Sequence, residues 1–528
     1  MVGVDEVRHD QRSLLYLTIR VIAEENGKRA TGFLTPGKSA ADMSLDAAAA
    51  GGAAADRALI ALAARPAPVA HLPVVVGPGR GMVLVHEACC HPLEADEVLR
   101  GSVYADRLGE RIAAPGLSIV DDPTLPGAVG SYGVDDREEL VVHSGLVYST
   151  STVRAGTVTV RLWREGRTAL AVVPRMADAG SVVADALANS YEAAPRRIAA
   201  AGGTGGGGRS ASRSLAGLRA EAAALTSAGD VLTELWINQV SRSVTVASTE
   251  GARGGYRTSS GSLLYRATRD AAGRRTHVDR EDIGPDAAFL LGRLPALVAG
   301  RCDAVLRAAT TTSTPPSAVV LDGAVAARLV FLFARSLCAD SVAQGRSRLA
   351  DALGTRVLSP SLTLVDDPLA ENAPLHAPFD DEGTPTTRRV LVDRGVLTGF
   401  LGSRDHAAPM PGNAWQEGPS VPPRPLPGNL WIEPGSGAAV PDGAFLRVVQ
   451  AYGMHLSNDI TGDFSMGVTA LVEQGGEVRS AEGLTVAGNV FAMLERAHPL
   501  ATELTWSGGG SSYCAAPDLL VDGLTVGV

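Results

Sequence analysis

The run His86-Glu87-Ala88-Cys89-Cys90-His91 puts two imidazoles, one carboxylate and two thiols into six consecutive positions, directly after the apolar stretch Met82 to Val85. Neutral imidazoles suit a borderline-soft cation such as Zn²⁺, and a neighbouring carboxylate can take a proton from a water that the cation polarises. His86 and His91 are therefore candidate ligands and Glu87 a candidate general base, with amide hydrolysis as the expected chemistry.

Spacing sets a condition on this reading. Positions five apart on an ideal α-helix diverge by about 140° around the axis, whereas positions four apart nearly eclipse. A π-type turn accommodates one extra residue and brings the fifth position back to the same side, and Pro92 directly after His91 would end the distorted stretch. The sequence thus predicts a bulged or interrupted helix here. Two other readings stay open. Cys90 lies four residues from His86 and would ligate without a bulge, or both histidines are ordinary polar residues on a helix. Cys89 and Cys90 read as small helix-packing residues, because vicinal cysteines close a strained ring.

The elements that must position this motif follow from periodicity. A strand is expected over Leu15 to Ala23, an alanine-rich helix over about 45–65, a short strand over Pro73 to Val76, and then the motif helix. Beyond them come a strand from Thr157 to Leu162, a helix at about 180–195 and a glycine tract at 202–208 within a flexible tether near 202–214. Short β-rich segments punctuated by Gly and Pro run from Ser317 to Val528, and the proline-crowded stretch Met410 to Pro427 reads as a surface loop.

The chain also repeats itself. Leu117-Ser118-Ile119-Val120-Asp121-Asp122-Pro123 returns as Leu362-Thr363-Leu364-Val365-Asp366-Asp367-Pro368, and Asp135-Asp136 as Asp380-Asp381, both at an offset of 245. That period is far longer than a solenoid repeat, so two fused homologous units are expected. The fold class is α+β, two homologous lobes with mainly antiparallel β-sheet forming a pseudo-dimer. The boundaries fall at 1–147 for a truncated lobe with the motif, 148–311 for an α/β domain with the tether, and 312–528 for a β-rich domain. Aligning Asp96 with Asp340 sets Val330, Phe331 and Arg335 opposite His86, Glu87 and His91, so the second lobe lacks the metal chemistry.

Composition narrows the class. With 528 residues, 45% apolar and 20% charged, the chain is globular and multi-domain. A net charge of −10 with scattered arginines supplies no basic stripe for nucleic acid, and no uninterrupted apolar stretch suggests a membrane span or export signal. Five irregularly spaced cysteines do not suit a secreted disulfide framework, so a cytoplasmic protein is expected.

The motif with the following Leu93-Glu94-Ala95-Asp96 resembles the TldD/PmbA family. So do Val365 to Pro368, Phe379 to Pro385, Gly395 to Leu401, Gly428 to Gly435, Gly462 to Ser465 and the ending Leu519 to Gly527. The resemblance implies a zinc peptidase acting on extended or modified peptides, in which a metal-bearing TldD-type unit pairs with a PmbA-type unit lacking the motif. It also implies homo-oligomerisation or association with another TldD/PmbA-type protein. It places a third ligand shortly before the last strand, where Cys514 stands, with Glu94 and His143 as other candidates. A non-catalytic peptide-binding scaffold, or a metal-dependent tailoring enzyme of small-molecule biosynthesis, are the competing functions.

Overall fold

The computed structural model describes residues 15–16, 19–25, 28–34, 37–38, 46–64, 75, 85–93, 102–112, 114, 137–143, 146–153, 157–164, 167–174, 183, 191–192, 208–227, 231–247, 253–271, 274–310, 316, 318–406, 411–417, 422–436, 443–454 and 457–527. Two compact units divide the chain, Met1–Tyr132 and Gly133–Val528.

In the first unit, β1 (Ile19–Glu25) pairs antiparallel with β2 (Lys28–Leu34), and α1 (Ala47–Ala63) packs on the pair. Asp46 starts the helix by accepting the Ala49 N–H at 2.9 Å, satisfying a donor that the first turn leaves open. Ala50, Ala54 and Ala58 recur every fourth residue and form the buried stripe. Such small side chains let helix and strand approach closely. A Cβ on Gly32 of β2 would lie 1.8 Å from the Ala54 carbonyl oxygen, so that position admits glycine alone.

The second unit begins with β3 (Arg137–His143) and β4 (Leu146–Val153). After α2 (Leu215–Ser227) come three long strands, β5 (Leu232–Ala247), β6 (Arg253–Ala271) and β7 (Arg274–Gly284), then α3 (Ala287–Arg301). These strands form one antiparallel sheet in the order β7-β6-β5-β3-β4. Strand β3 pairs with β5, so it belongs to the compact unit that starts at Gly133. Alternation along β5 and β6 turns Leu235, Ile237, Leu263 and Tyr265 onto α2 and α3, and all four are fully buried.

Beyond α3 lie β8 (Val319–Leu321) and α4 (Gly323–Ala334), then β9 (Leu364–Asp366), β10 (Arg389–Asp393) and β11 (Asn429–Ile432). They are followed by β12 (Phe445–Tyr452), β13 (Asp463–Gln474), β14 (Glu477–Asn489), β15 (Thr505–Gly509), β16 (Ser512–Ala516) and β17 (Leu519–Val521). One sheet contains β14-β13-β12-β8-β17 in that order and the other β10-β9-β11-β16-β15. Pairing is mainly antiparallel, with β8–β12 and β11–β16 parallel. Helix α4 is apolar almost all round, so it is buried; Val325, Leu329, Val330 and Phe333 share a core with side chains of both sheets.

The two layers of this unit are latched together. Arg280 of β7 donates to Asp322 at 3.1 Å and also to the Val449 carbonyl, while Asp322 caps α4 through the Ala324 N–H at 3.0 Å.

Two expectations need correction. The end of the supposed tether is docked: the Arg209 guanidinium donates to the carbonyls of Ser259, Glu371, Ala373 and Pro374, and the Ser212 N–H to Asp286. Residues 202–207 lie outside the described residues. The described ends of the proline-crowded stretch are also buried. Ala414–Trp415 pairs with Arg424–Pro425, Trp415 has no exposure, and Asn413 donates to Asp366 at 2.6 Å. Of the helix expected at 180–195, Val183, helical in itself, and the strand pair Tyr191–Glu192 are described, while the strand expected over Pro73 to Val76 is described only at Val75.

Candidate metal centre

His86–Cys90 form a π-helical turn, closed where the His91 N–H donates to the His86 carbonyl, five residues back. A three-residue α-helical segment, His91–Leu93, follows. This is the distortion that the five-residue spacing demands, and it brings the two imidazole rings to a centroid separation of 4.3 Å at an interplanar angle of 62°. Both histidines are exposed, so a cation from solvent can reach them. Pro92 withholds an N–H from the next turn, and its carbonyl accepts the Ser102 hydroxyl at 2.6 Å, which fixes where the chain leaves the turn.

The Glu87 side chain, Glu94 and Asp96 lie outside the described residues, as do the first copies of the repeated aspartates, Asp121, Asp122, Asp135 and Asp136. Among the described residues, no group of three or more His, Cys, Asp or Glu side chains is gathered as a metal site. The backbone of His143 belongs to β3, opposite Glu234.

Cys514 sits in the second unit, on β16 between Leu430 of β11 and Ser507 of β15. Its side chain has no solvent exposure and belongs to the apolar cluster that contains Val330 and Cys338. Burial, reinforced by Asp366 and Cys338, pushes the thiol well above its ordinary pKa, so it stays protonated. The structure thus brings His86 and His91 together and gives Cys514 the environment of a packing residue. Sequence position alone could not report that burial.

At the corresponding place on the second copy, the side chains are packed rather than presented to solvent. Val330 is fully buried, and Arg335, on the 3₁₀ turn that ends α4, lies 3.5 Å from Asp340 and 3.6 Å from the Cys338 sulfur. A guanidinium is held here, with a carboxylate as its counter-ion.

The repeated aspartate pair shapes a loop in the second unit. Asp380 accepts the N–H groups of Glu382, Thr384 and Ala414, and burial pushes its carboxyl up to about 7. One terminal nitrogen of Arg242 donates to both Asp381 oxygens at 2.9 Å, and the other donates to the Ser511 hydroxyl.

A family model described as the PmbA/TldA metallopeptidase C-terminal domain matches residues 70–138 and 315–528, more than half of the chain. The chain belongs to the TldD/PmbA family. Shifted by the offset of 245 seen in the repeat, the first matched stretch falls on 315–383, the start of the second. Among TldD/PmbA relatives, a metalloprotease of Methanocaldococcus jannaschii is 37% identical over 122 residues, covering 22% of this chain and 27% of that protein. A metalloprotease TldD homolog of Haemophilus influenzae is 36% identical over 137 residues, 24% of this chain and 28% of that one. These matches span little more than a quarter of either relative. The crystal structure of TldE from Thermococcus kodakarensis superposes with a TM-score of 0.60 at 17% identity, over 74% of this chain and 94% of that one, which shows a shared TldD/PmbA fold.

Proposed function

We propose that this protein is a zinc-dependent peptidase in which His86 and His91 hold the metal and Glu87 is the general base. The observation that carries the reading is the π turn, which sets two exposed imidazoles side by side. A zinc ion held there supplies Lewis acidity toward a peptide carbonyl and lowers the pKa of water to about 7. Glu87, next to His86 in sequence, takes the proton from the attacking water and returns it to the leaving amine. The π turn fixes both rings before substrate arrives, so little ordering remains to be done at binding.

Extended, unfolded or modified peptides are the proposed substrates, and another TldD/PmbA-type chain or a second copy the proposed partner. In this reading, residues 1–147 form a truncated TldD-like lobe, while 148–311 and 312–528 form a PmbA-like lobe. All five cysteines are free, which suits a reducing cytoplasm, and no described helix is long and apolar enough to cross a membrane.

The test is zinc content together with hydrolysis of an unfolded peptide. His86→Ala and His91→Ala should lose both, and Glu87→Gln should keep zinc and lose turnover; a fully active Glu87→Gln protein would refute the mechanism. As third ligand, Cys514 would have to bring its thiol out of the core. Zinc lost from a folded Cys514→Ala protein supports that role, and zinc retained assigns the residue to packing.

A further inference from the structure

The second unit contains a cavity of about 330 Å³ between the α3 face and the β11–β15 end of its sheet, at the small end of the range for ligand pockets. Phe289, Trp431 and Trp506 contribute aromatic wall, the two indoles meeting edge to face at 6.2 Å. Leu290 and Leu297 extend the apolar lining. At the floor, charge is already satisfied: Arg301 donates to Asp282 at 2.6 Å and to the Thr505 hydroxyl at 2.8 Å, and Tyr265 donates to the other Asp282 oxygen. A guest reaching that floor meets no free charge, so the inserted group is apolar.

The mouth differs from the floor. Arg293 and Glu503 pair across it while remaining 45% and 74% exposed, an ion pair worth little and readily exchanged for other partners. One offers donors and the other acceptors, which matches the alternating C=O and N–H groups of a peptide backbone. Among the described residues, β15, next to the mouth, is the outer strand of its sheet, and Gly508 and Gly509 on it are exposed. An unpaired strand edge is a template for an added extended chain. Trp506 lies on the same strand, so a peptide following that edge leads into the cavity.

We propose that this cavity is a docking pocket for an extended peptide, taking one large apolar side chain, preferably aromatic, against the wall formed by the Trp431–Trp506 pair while the main chain lies across Arg293 and Glu503. The site is separate from the histidine motif and does not depend on the metal reading.

The experiment uses the full chain and the peptide acetyl-Ala-Ala-Phe-Ala-amide, followed by calorimetry. Saturable binding is expected. It should weaken about tenfold or more when Phe is replaced by Ala in the peptide, or when Ala370→Trp fills the cavity in a protein of unchanged circular dichroism. Binding should persist in the His86→Ala/His91→Ala protein, which separates this pocket from the motif. Should Ala370→Trp not fold, wild-type protein photo-crosslinked to a benzoylphenylalanine version of the peptide must carry its adduct on α3, 370–373, Trp431 or 503–506. No saturable binding at millimolar peptide, equal binding of the Ala peptide, undiminished binding by folded Ala370→Trp, or adducts confined to other regions overturns the proposal.

Discussion

The π turn at His86–Cys90 and the stretch Val330–Arg335, where α4 passes into its closing 3₁₀ turn, occupy matching places in a duplicated sequence and have opposite characters. In the first, a wide turn presents two imidazoles to solvent. In the second, a regular helix drives Val330 into a core, and Arg335 turns its charge toward Asp340. One copy uses its winding to set two imidazoles side by side; the other is organised for packing. The difference teaches that side-chain type and backbone winding change together, since regular winding would part residues five apart.

The largest effect expected from breaking this contrast is on turnover. Glu87→Gln should lower peptide hydrolysis about 10²–10⁴-fold while the urea midpoint stays near wild type. Loss of stability in proportion to activity would mean that the π turn is also a packing element. Next comes the buried copy, where Phe333→Ala, at a position without solvent exposure, should cost about 3–5 kcal/mol in urea unfolding of the second unit and leave zinc content unchanged. Arg335→Ala strips Asp340 of a partner at a nearly buried site and should cost about 3 kcal/mol. Arg335→Lys should recover part of that loss, because it restores charge without the fork.

A smaller, pH-dependent effect sharpens the comparison. Burial raises the Asp380 carboxyl to about 7 from an ordinary value of 3.8, so the folded state binds a proton that the unfolded state has released. Its contribution to stability is complete below about pH 4 and is lost as pH rises through about 7. Asp380→Asn should flatten the fall in urea midpoint between pH 5 and 8, as judged against wild type at each pH. An unchanged slope would show that Asp380 is ionised throughout.

Much of this was legible in the sequence. The turn was, because the separation of His86 from His91 and the proline after them admit few backbone solutions. The antiparallel α+β architecture was readable from alternation in segments such as β5 and β6. Burial was harder to read. Nothing local distinguishes Cys514 at a site from Cys514 in a core, and the docked Arg209 looked like part of a flexible tract because its carbonyl partners lie 50 to 165 positions away. The cavity escaped for the same reason, since its walls come from four segments between Asp282 and Trp506 with no motif in any of them.

The latch formed by Arg280 and Asp322 has a consequence for how the second unit comes apart. The residue that starts the central helix also anchors a strand of the neighbouring layer, so fraying at that helix end would strand a cation already out of water. Neither layer can open alone at small cost. In hydrogen exchange, amides of β7 and of the first turns of α4 should therefore lose protection together, as one cooperative block.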